Sequence, residues 1–124
     1  MNDKIVLIDD DKDILDVVQF ILAEEGYTVV LYDHLVQLEV IIAQQPSLIL
    51  LDNRLGSGYG NTLCLALKSN DKTKDIPVIL VSASEGLELI AEQCNADACL
   101  YKPFDLAAFV KLVKHHWERY NASR

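Results

Sequence analysis

Basic residues are scarce in this sequence: 11 Lys and Arg stand against 19 Asp and Glu, and the formal charge is −8. Binding to nucleic acid or to an anionic membrane surface depends on clustered Lys and Arg, so the composition argues against direct contact with either. Cations or basic protein surfaces are better candidates for binding partners. The chain also lacks a basic segment followed by an apolar stretch of signal or membrane-spanning length. We therefore expect a cytoplasmic protein.

Cysteine is also scarce, and its spacing excludes two common uses of this residue. Cys64, Cys94 and Cys99 are an odd number and match neither a disulfide framework nor a zinc motif. Each lies among apolar neighbours, which predicts small buried side chains in a reducing compartment. With 124 residues and 51% hydrophobic content, we expect one domain with one core, spanning residues 1–124.

The sequence does contain a regular alternation of short apolar runs with segments of helical period. Five runs predict strands, and five intervening or following segments predict helices. The predicted strands span residues 4–9, 28–32, 48–52, 76–82 and 98–101. This alternation is typical of an α/β (βα)5 fold with a parallel sheet and helices on both faces, a three-layer sandwich. The first, third and fourth runs are the most continuous, so we predict them at the centre, in strand order 2-1-3-4-5.

The predicted helices have recognisable ends. Gly26 is placed to end the first helix, and Pro46 disfavours helix at Gln45, which ends the second. The third helix follows a glycine-rich segment at residues 56–60, and the fourth is predicted over Glu85 to Cys94. Asp105 is a good N-cap for the last helix.

Polar residues stand at the ends of four of these runs: Asp9 with Asp10, Asp52, Ser82 and Lys102. Open α/β sheets bind ligands at the carboxyl ends of their strands, so we expect these side chains to lie together. At about 5 Å and an effective dielectric of about 20, each pair of carboxylates costs roughly 3 kcal/mol. Either the pKa values of the carboxyl groups rise or a divalent cation binds, and a hard, oxygen-seeking ion such as Mg²⁺ fits best.

A carboxylate beside such a cation can attack phosphorus and become an aspartyl phosphate. Asp52 is the best candidate, because it ends a central strand between the acidic pair and Lys102. Phosphoryl transfer requires mainly positioning and neutralisation of the phosphoryl oxygens. Lys102, the Ser82 hydroxyl and the metal could supply those contacts.

With these four motifs in order, the sequence resembles the response-regulator receiver domains of bacterial two-component signalling. The matching segments are Ile-Asp-Asp-Asp with Asp9 and Asp10, Leu-Ile-Leu-Leu-Asp with Asp52, Val-Ile-Leu-Val-Ser-Ala with Ser82, and Tyr-Lys-Pro-Phe with Lys102. The resemblance covers nearly the whole chain. It implies a flavodoxin-like fold and a phosphoacceptor regulator that is not an enzyme beyond its own phosphorylation and dephosphorylation.

The resemblance also implies roles at the site. Asp10 would bind Mg²⁺ directly, Asp9 would act through water, and the Arg54 carbonyl would be a further ligand beside the acceptor. Ser82 would bond the phosphoryl group and Lys102 would pair with it, with a cis Lys102–Pro103 bond. The implied partners are a sensor histidine kinase or phosphotransfer protein and a downstream protein or output domain.

Several positions depart from the family pattern. Cys99 stands where members usually carry a switching Tyr or Phe, and Tyr101 cannot simply replace it, because two residues along a strand span about 6.6 Å. We therefore hypothesise that Ser82 still moves but signals through displacement of the loop and of the fourth helix, and not through an aromatic flip. Gly56 replaces a common proline, which predicts a loose loop after Asp52 that becomes ordered with metal or phosphate, or else a turn requiring positive φ.

Two further positions are predicted to modulate the site. Arg54, two residues beyond Asp52, could pair with Asp9 or Asp10 and weaken metal binding; the alternative is a solvated arginine. Ser84, two residues beyond Ser82, is a second modulating candidate.

Two other functions compete with the receiver hypothesis. A small phosphohydrolase could also use an aspartyl phosphate, and Asp9 and Asp11 have the spacing that such enzymes use. A receiver-like binding module without phosphorylation is the other alternative. The intact acceptor, acidic pair, serine and lysine favour the receiver hypothesis over both.

Overall fold

Parallel strands form the central sheet of this protein. The structure is a computed structural model that describes residues 4–124. The sheet strands are β1 (Lys4–Ile8), β2 (Thr28–Tyr32), β3 (Leu48–Leu51), β6 (Val78–Ser82) and β7 (Ala98–Tyr101). Their order is β2-β1-β3-β6-β7, and every pairing is parallel. The predicted order 2-1-3-4-5 is confirmed, because the two intervening strands β4 (Arg54–Leu55) and β5 (Gly58–Tyr59) form a separate small hairpin.

Helices cover both faces of the sheet. They are α1 (Lys12–Glu24), α2 (Leu38–Gln44), α3 (Gly60–Ser69), α4 (Leu87–Gln93) and α5 (Leu106–Ala122). One apolar cluster joins the sheet to α1 and α5, and the other joins it to α2, α3 and α4. All residues of β3 and β6 are buried, whereas β2 and β7 carry partly exposed residues. Burial on both faces explains the continuous apolar runs of the central strands.

The helix ends follow the local sequence signals. The Asp11 carboxylate accepts hydrogen bonds from the Asp13 and Ile14 amides and caps α1, and Asp105 caps α5 through the Ala108 amide. Gly26 follows α1 with φ of +94°, as expected of a residue that ends a helix. Helix α4 is shorter than predicted, because it begins at Leu87 and ends at Gln93, whereas the sequence predicts helix from Glu85 to Cys94.

The cysteines are all free, with Cys64 and Cys94 buried and Cys99 partly buried. Burial, together with the neighbouring Cys94, raises the pKa of the Cys64 thiol. The thiolate is the reactive form, so these contacts support the predicted structural role.

The other end of the sheet, where the strands begin, has an aromatic contact. Trp117 of α5 packs edge-on against Tyr27, which immediately precedes β2, with ring centroids 5.4 Å apart.

Within residues 4–124, no helix is both long enough and apolar enough to span a bilayer.

Candidate functional site

Three carboxylates converge at the carboxyl ends of β1 and β3. Asp9, Asp10 and Asp52 each offer one oxygen, and these atoms lie within 4.8 Å of one another. Asp9 and Asp52 are only 1% and 6% exposed, whereas Asp10 faces solvent. Residues 9 and 10 directly follow β1, and Asp52 directly follows the neighbouring strand β3. The sequence prediction that these acids meet is therefore correct.

Lys102 neutralises part of this negative charge. Its Nζ lies 2.7 Å from Asp9 Oδ2 and 3.0 Å from Asp52 Oδ2. The lysine follows β7, and its backbone amide donates to the Ser82 carbonyl oxygen at 3.0 Å. The Lys102–Pro103 bond is cis, as the resemblance implied.

Burial changes the pKa values of Asp9 and Lys102. Burial raises the pKa of Asp9, and attraction to Lys102 and the Asp11 amide offsets this only in part. Burial by itself lowers the pKa of Lys102, but its contacts with Asp9 and Asp52 outweigh that effect and leave the pKa raised. The ammonium is thus held charged, while the Asp9 carboxylate remains incompletely compensated.

The unused bonding capacity of Asp9 suits a hard cation. Its Oδ1 accepts a hydrogen bond from the Asp11 amide at 2.9 Å. Among residues 4–124, its buried Oδ2 has only the ion pair with Lys102 and no hydrogen bond of normal geometry. Carboxylate oxygens are the ligands that Mg²⁺ prefers. The donor set of Asp9, Asp10 and Asp52 therefore fits a divalent cation of that class.

The turn that follows Asp52 brings the start of α3 against the strand end. The Gly60 amide donates to the Asn53 carbonyl at 2.7 Å, and the Asn61 amide donates to Asn53 Oδ1 at 3.0 Å. A Cβ at Gly60 would lie 2.1 Å from the Asp52 carbonyl oxygen and 3.0 Å from Leu51 Cγ. Only glycine permits this approach, which sequence reasoning missed.

We expect Gly60→Ala to destabilise the fold by about 1–3 kcal/mol, the usual cost of overpacking a rigid position. Urea unfolding would measure the loss. The matched control is Gly56→Ala, because Gly56 has no positive φ and its Cβ would meet only Asp10 Oδ2, at 3.7 Å. Equal losses in the two variants would contradict the steric explanation.

The glycine-rich segment after Asp52 forms a hairpin in place of the predicted loose loop. Strands β4 and β5 pair antiparallel. The Gly56 amide donates to Asp10 Oδ2 at 2.9 Å, and Ser57 Oγ accepts from the Leu35 amide at 3.0 Å. Gly58 has φ of +146°, so the alternative prediction of a turn with positive φ holds at that residue. A proline at position 56 would have no N–H for the bond to Asp10.

Arg54 does not pair with the acidic cluster as predicted. Its side chain is exposed on β4 and makes no ion pair with any of residues 4–124. The cation that pairs with the acidic cluster is Lys102. The Arg54 backbone does contact the site, since its amide donates to Asp52 Oδ1 at 3.2 Å. Of the two predictions, the solvated arginine is the one observed.

Two buried hydroxyls lie at the end of β6. Ser82 and Ser84 are 1% and 7% exposed, and their Oγ atoms are 3.1 Å apart. The Ser84 amide is also 3.4 Å from Ser82 Oγ. In this structure Ser84 therefore supplies the hydrogen-bond partner of Ser82.

Cys99 and Tyr101 lie on β7, opposite Leu80 and Ser82 of β6. Cys99 packs against the core cluster beneath α4. Tyr101 is 38% exposed, and its hydroxyl contacts the first residues of α4. Tyr101 lies two residues along the strand from Cys99, the position of the family's switching Tyr or Phe. Nothing in the sequence indicated that the Tyr101 hydroxyl contacts α4.

Comparison with known proteins agrees with this geometry. A family model described as the response regulator receiver domain matches residues 5–114. A CheY-like receiver domain protein from Methanospirillum hungatei is 23% identical, with a TM-score of 0.84 and all of both chains covered. The BeF3-activated receiver domain of RstA from Klebsiella pneumoniae is 25% identical, with a TM-score of 0.81, covering 92% of this chain and 97% of that one.

A third solved structure is the receiver domain of a sensor histidine kinase from Pseudomonas aeruginosa, described with a magnesium ion in its active site cleft. It is 22% identical, with a TM-score of 0.85, covering 95% of this chain and 99% of that one. At such identity the structural likeness establishes the flavodoxin-like fold alone. The family match itself extends from β1 into α5 and includes the whole acidic cluster and Lys102, and this chain belongs to the response regulator receiver domain family.

Proposed function

We propose that this chain is a phosphoryl-accepting signalling switch in which Asp52 receives the phosphoryl group. The observation that carries the proposal is the buried Asp52 carboxylate, held between the Asp9–Asp10 pair and the Lys102 ammonium at 3.0 Å. An acceptor needs a fixed anionic oxygen with positive charge beside it, and this position supplies both.

The chemistry assigned to the protein's own residues is simple. A carboxylate oxygen of Asp52 forms a bond to phosphorus as the bond from phosphorus to a phosphohistidine nitrogen of the donor breaks. The electron pair stays on the departing imidazole, which takes up a proton. Lys102 neutralises charge on the phosphoryl oxygens, and the Ser82 hydroxyl exchanges its contact with Ser84 for one with a phosphoryl oxygen.

Asp9, Asp10 and Asp52, with the Arg54 backbone carbonyl, are the residues that we propose to hold Mg²⁺. When bound, the ion would neutralise carboxylate and phosphoryl oxygens. The magnesium described in the Pseudomonas aeruginosa receiver supports this assignment. So does the incompletely compensated Asp9.

The partners follow from the same proposal. The donor would be a sensor histidine kinase or a phosphotransfer protein, and the recipient of the signal a downstream protein or output domain, all in the cytoplasm. The net charge of −8 favours basic surfaces on those partners over nucleic acid.

The contacts of Asp11 argue against the phosphohydrolase alternative. Its second acid would be Asp11, and that carboxylate is engaged in capping α1. The intact acceptor geometry likewise argues against a binding module that has lost phosphorylation.

Intact-protein mass spectrometry tests the proposed function. After incubation with acetyl phosphate and Mg²⁺, we expect the wild-type chain to gain the mass of one phosphoryl group, and to gain little when a chelator removes the metal. No added mass in the presence of Mg²⁺ would overturn the proposal. Turnover of small phosphate esters without a stable adduct would favour the hydrolase instead.

A separate prediction concerns the metal. Asp10→Asn should weaken Mg²⁺ binding about tenfold or more, equivalent to at least ~1.4 kcal/mol, because it removes the exposed charge of the cluster. Isothermal titration calorimetry would measure this. Asp13→Asn is the control, since Asp13 is an acid in the first turn of α1. An equal loss in both variants would indicate general electrostatic attraction and not ligation.

A further inference from the structure

The start of α4 receives a hydrogen bond from outside the helix. The N-cap residue is Gly86, with φ of +68° and no side chain that could cap. The first amides of a helix lack internal partners. Here the Leu87 amide donates to the Tyr101 hydroxyl oxygen at 3.0 Å. Tyr101 therefore caps α4 from strand β7.

The same hydroxyl is held by a charge. The Tyr101 O–H donates to a carboxylate oxygen of Glu88, the second residue of α4. This contact lowers the pKa of Glu88 and raises that of Tyr101, as a hydrogen bond between a phenol and a carboxylate should. The hydroxyl accepts from one residue of the helix and donates to the next, which fixes the helix start relative to β7.

Tyr101 is also bonded through the backbone to the candidate site. It lies opposite Ser82 in the sheet, and the next residue is Lys102. The Lys102 amide donates to the Ser82 carbonyl, and its Nζ contacts Asp9 and Asp52. A shift of Ser82 or Lys102 thus acts on the peptide that carries Tyr101.

We propose that Tyr101 is the positioning residue that couples the phosphoacceptor site to α4, and that its two hydroxyl contacts stabilise the resting state, in which Ser82 Oγ contacts Ser84 Oγ. The proposal rests on the proposed function. It assigns the coupling to hydrogen bonds made by a residue adjacent to Lys102.

Cys99 explains why another residue carries the coupling. Its side chain is partly buried, packs on the core cluster and has no aromatic ring to reorient. Within residues 4–124, Tyr101 makes the hydrogen bonds that join a β7 side chain to α4. If the Tyr101 hydroxyl contacts α4 in one conformational state and not in the other, the two states differ in free energy. Such a difference is what coupling between two sites requires.

The test compares wild type with Tyr101→Phe, using Mg²⁺ and beryllium fluoride as the phosphoryl mimic. Calorimetry gives the affinity for the mimic, and amide hydrogen exchange follows α4 in both states. Tyr101 is 38% exposed, so loss of its hydroxyl should be tolerated, which circular dichroism would verify. Tyr27→Phe, at the opposite end of the sheet, is the matched control.

Removing contacts that favour the resting state should favour the activated one. We expect Tyr101→Phe to bind the mimic about fivefold or more tightly, the lower end of the usual range of allosteric coupling, and to show resting-state exchange in α4 closer to that of the loaded state. Glu88→Gln, which keeps the cap on Leu87, should give a smaller change in the same direction. Tyr27→Phe should match wild type.

An unchanged or weakened affinity in Tyr101→Phe, with faster α4 exchange in both states alike, would overturn the coupling and leave a helix cap. A wild-type chain that fails to bind beryllium fluoride at all would instead overturn the proposed function, and the coupling with it. The two failures are therefore distinguishable.

Discussion

Replacing Asp52 with asparagine is expected to abolish phosphorylation by acetyl phosphate, with no phosphoryl mass detected under conditions that modify the wild-type chain. Asparagine keeps the shape of the side chain but lacks the anionic oxygen that attacks phosphorus. It also removes one of the three carboxylates that converge at the site. Intact-protein mass spectrometry, followed by peptide mapping of the wild-type adduct, provides the measurement.

The control for this result is Asp71→Asn, because the Asp71 side chain is 98% exposed. That variant should be phosphorylated like wild type. A phosphoryl group retained in Asp52→Asn, for example on Asp10, would contradict the assignment of the acceptor.

The second large effect concerns stability without metal. Lys102→Met should reduce the free energy of unfolding by about 3–5 kcal/mol, because breaking a buried ion pair from one side leaves uncompensated charge. The charges at risk are Asp9 and Asp52, whose side chains are 1% and 7% exposed. Urea denaturation of the metal-free proteins would measure this loss.

Two variants sharpen that prediction. Lys114→Met breaks a more exposed pair with Glu25 and should lower the free energy of unfolding far less, because solvent screens the attraction between exposed charges. Adding Asp9→Asn to Lys102→Met removes one of the stranded charges and should recover part of the stability. Similar losses in the two lysine variants, or no recovery in the double variant, would contradict this electrostatic account.

Much of the fold and of the site could be predicted because the relevant signals are local. A short apolar run predicts a buried strand, and the polar residue that follows the run marks the carboxyl end of that strand. Asp9, Asp52, Ser82 and Lys102 were identified in this way, and the parallel topology brings their strands together. Helix capping by Asp105 could be predicted for the same reason, since it depends on an amide three residues away.

Other features depend on contacts between distant parts of the chain. The bond from the Gly56 amide to Asp10 spans 46 residues, and it anchors a hairpin where glycine content alone indicated looseness. Arg54 and Lys102 are both long cations near the acids, and only the three-dimensional path of the chain decides between them. The Tyr101 hydroxyl reaches α4 across the space between two elements.

The contact between Trp117 and Tyr27 determines how this chain can be followed spectroscopically. The single tryptophan lies near the amino-terminal ends of the strands, and the acidic cluster lies at their carboxyl ends. Its emission should respond when α5 separates from the sheet, and it should be insensitive to ions or phosphoryl mimics bound near Asp52. Tryptophan fluorescence is thus suited to denaturation curves for every variant discussed, whereas occupancy of the site requires calorimetric or mass-based detection.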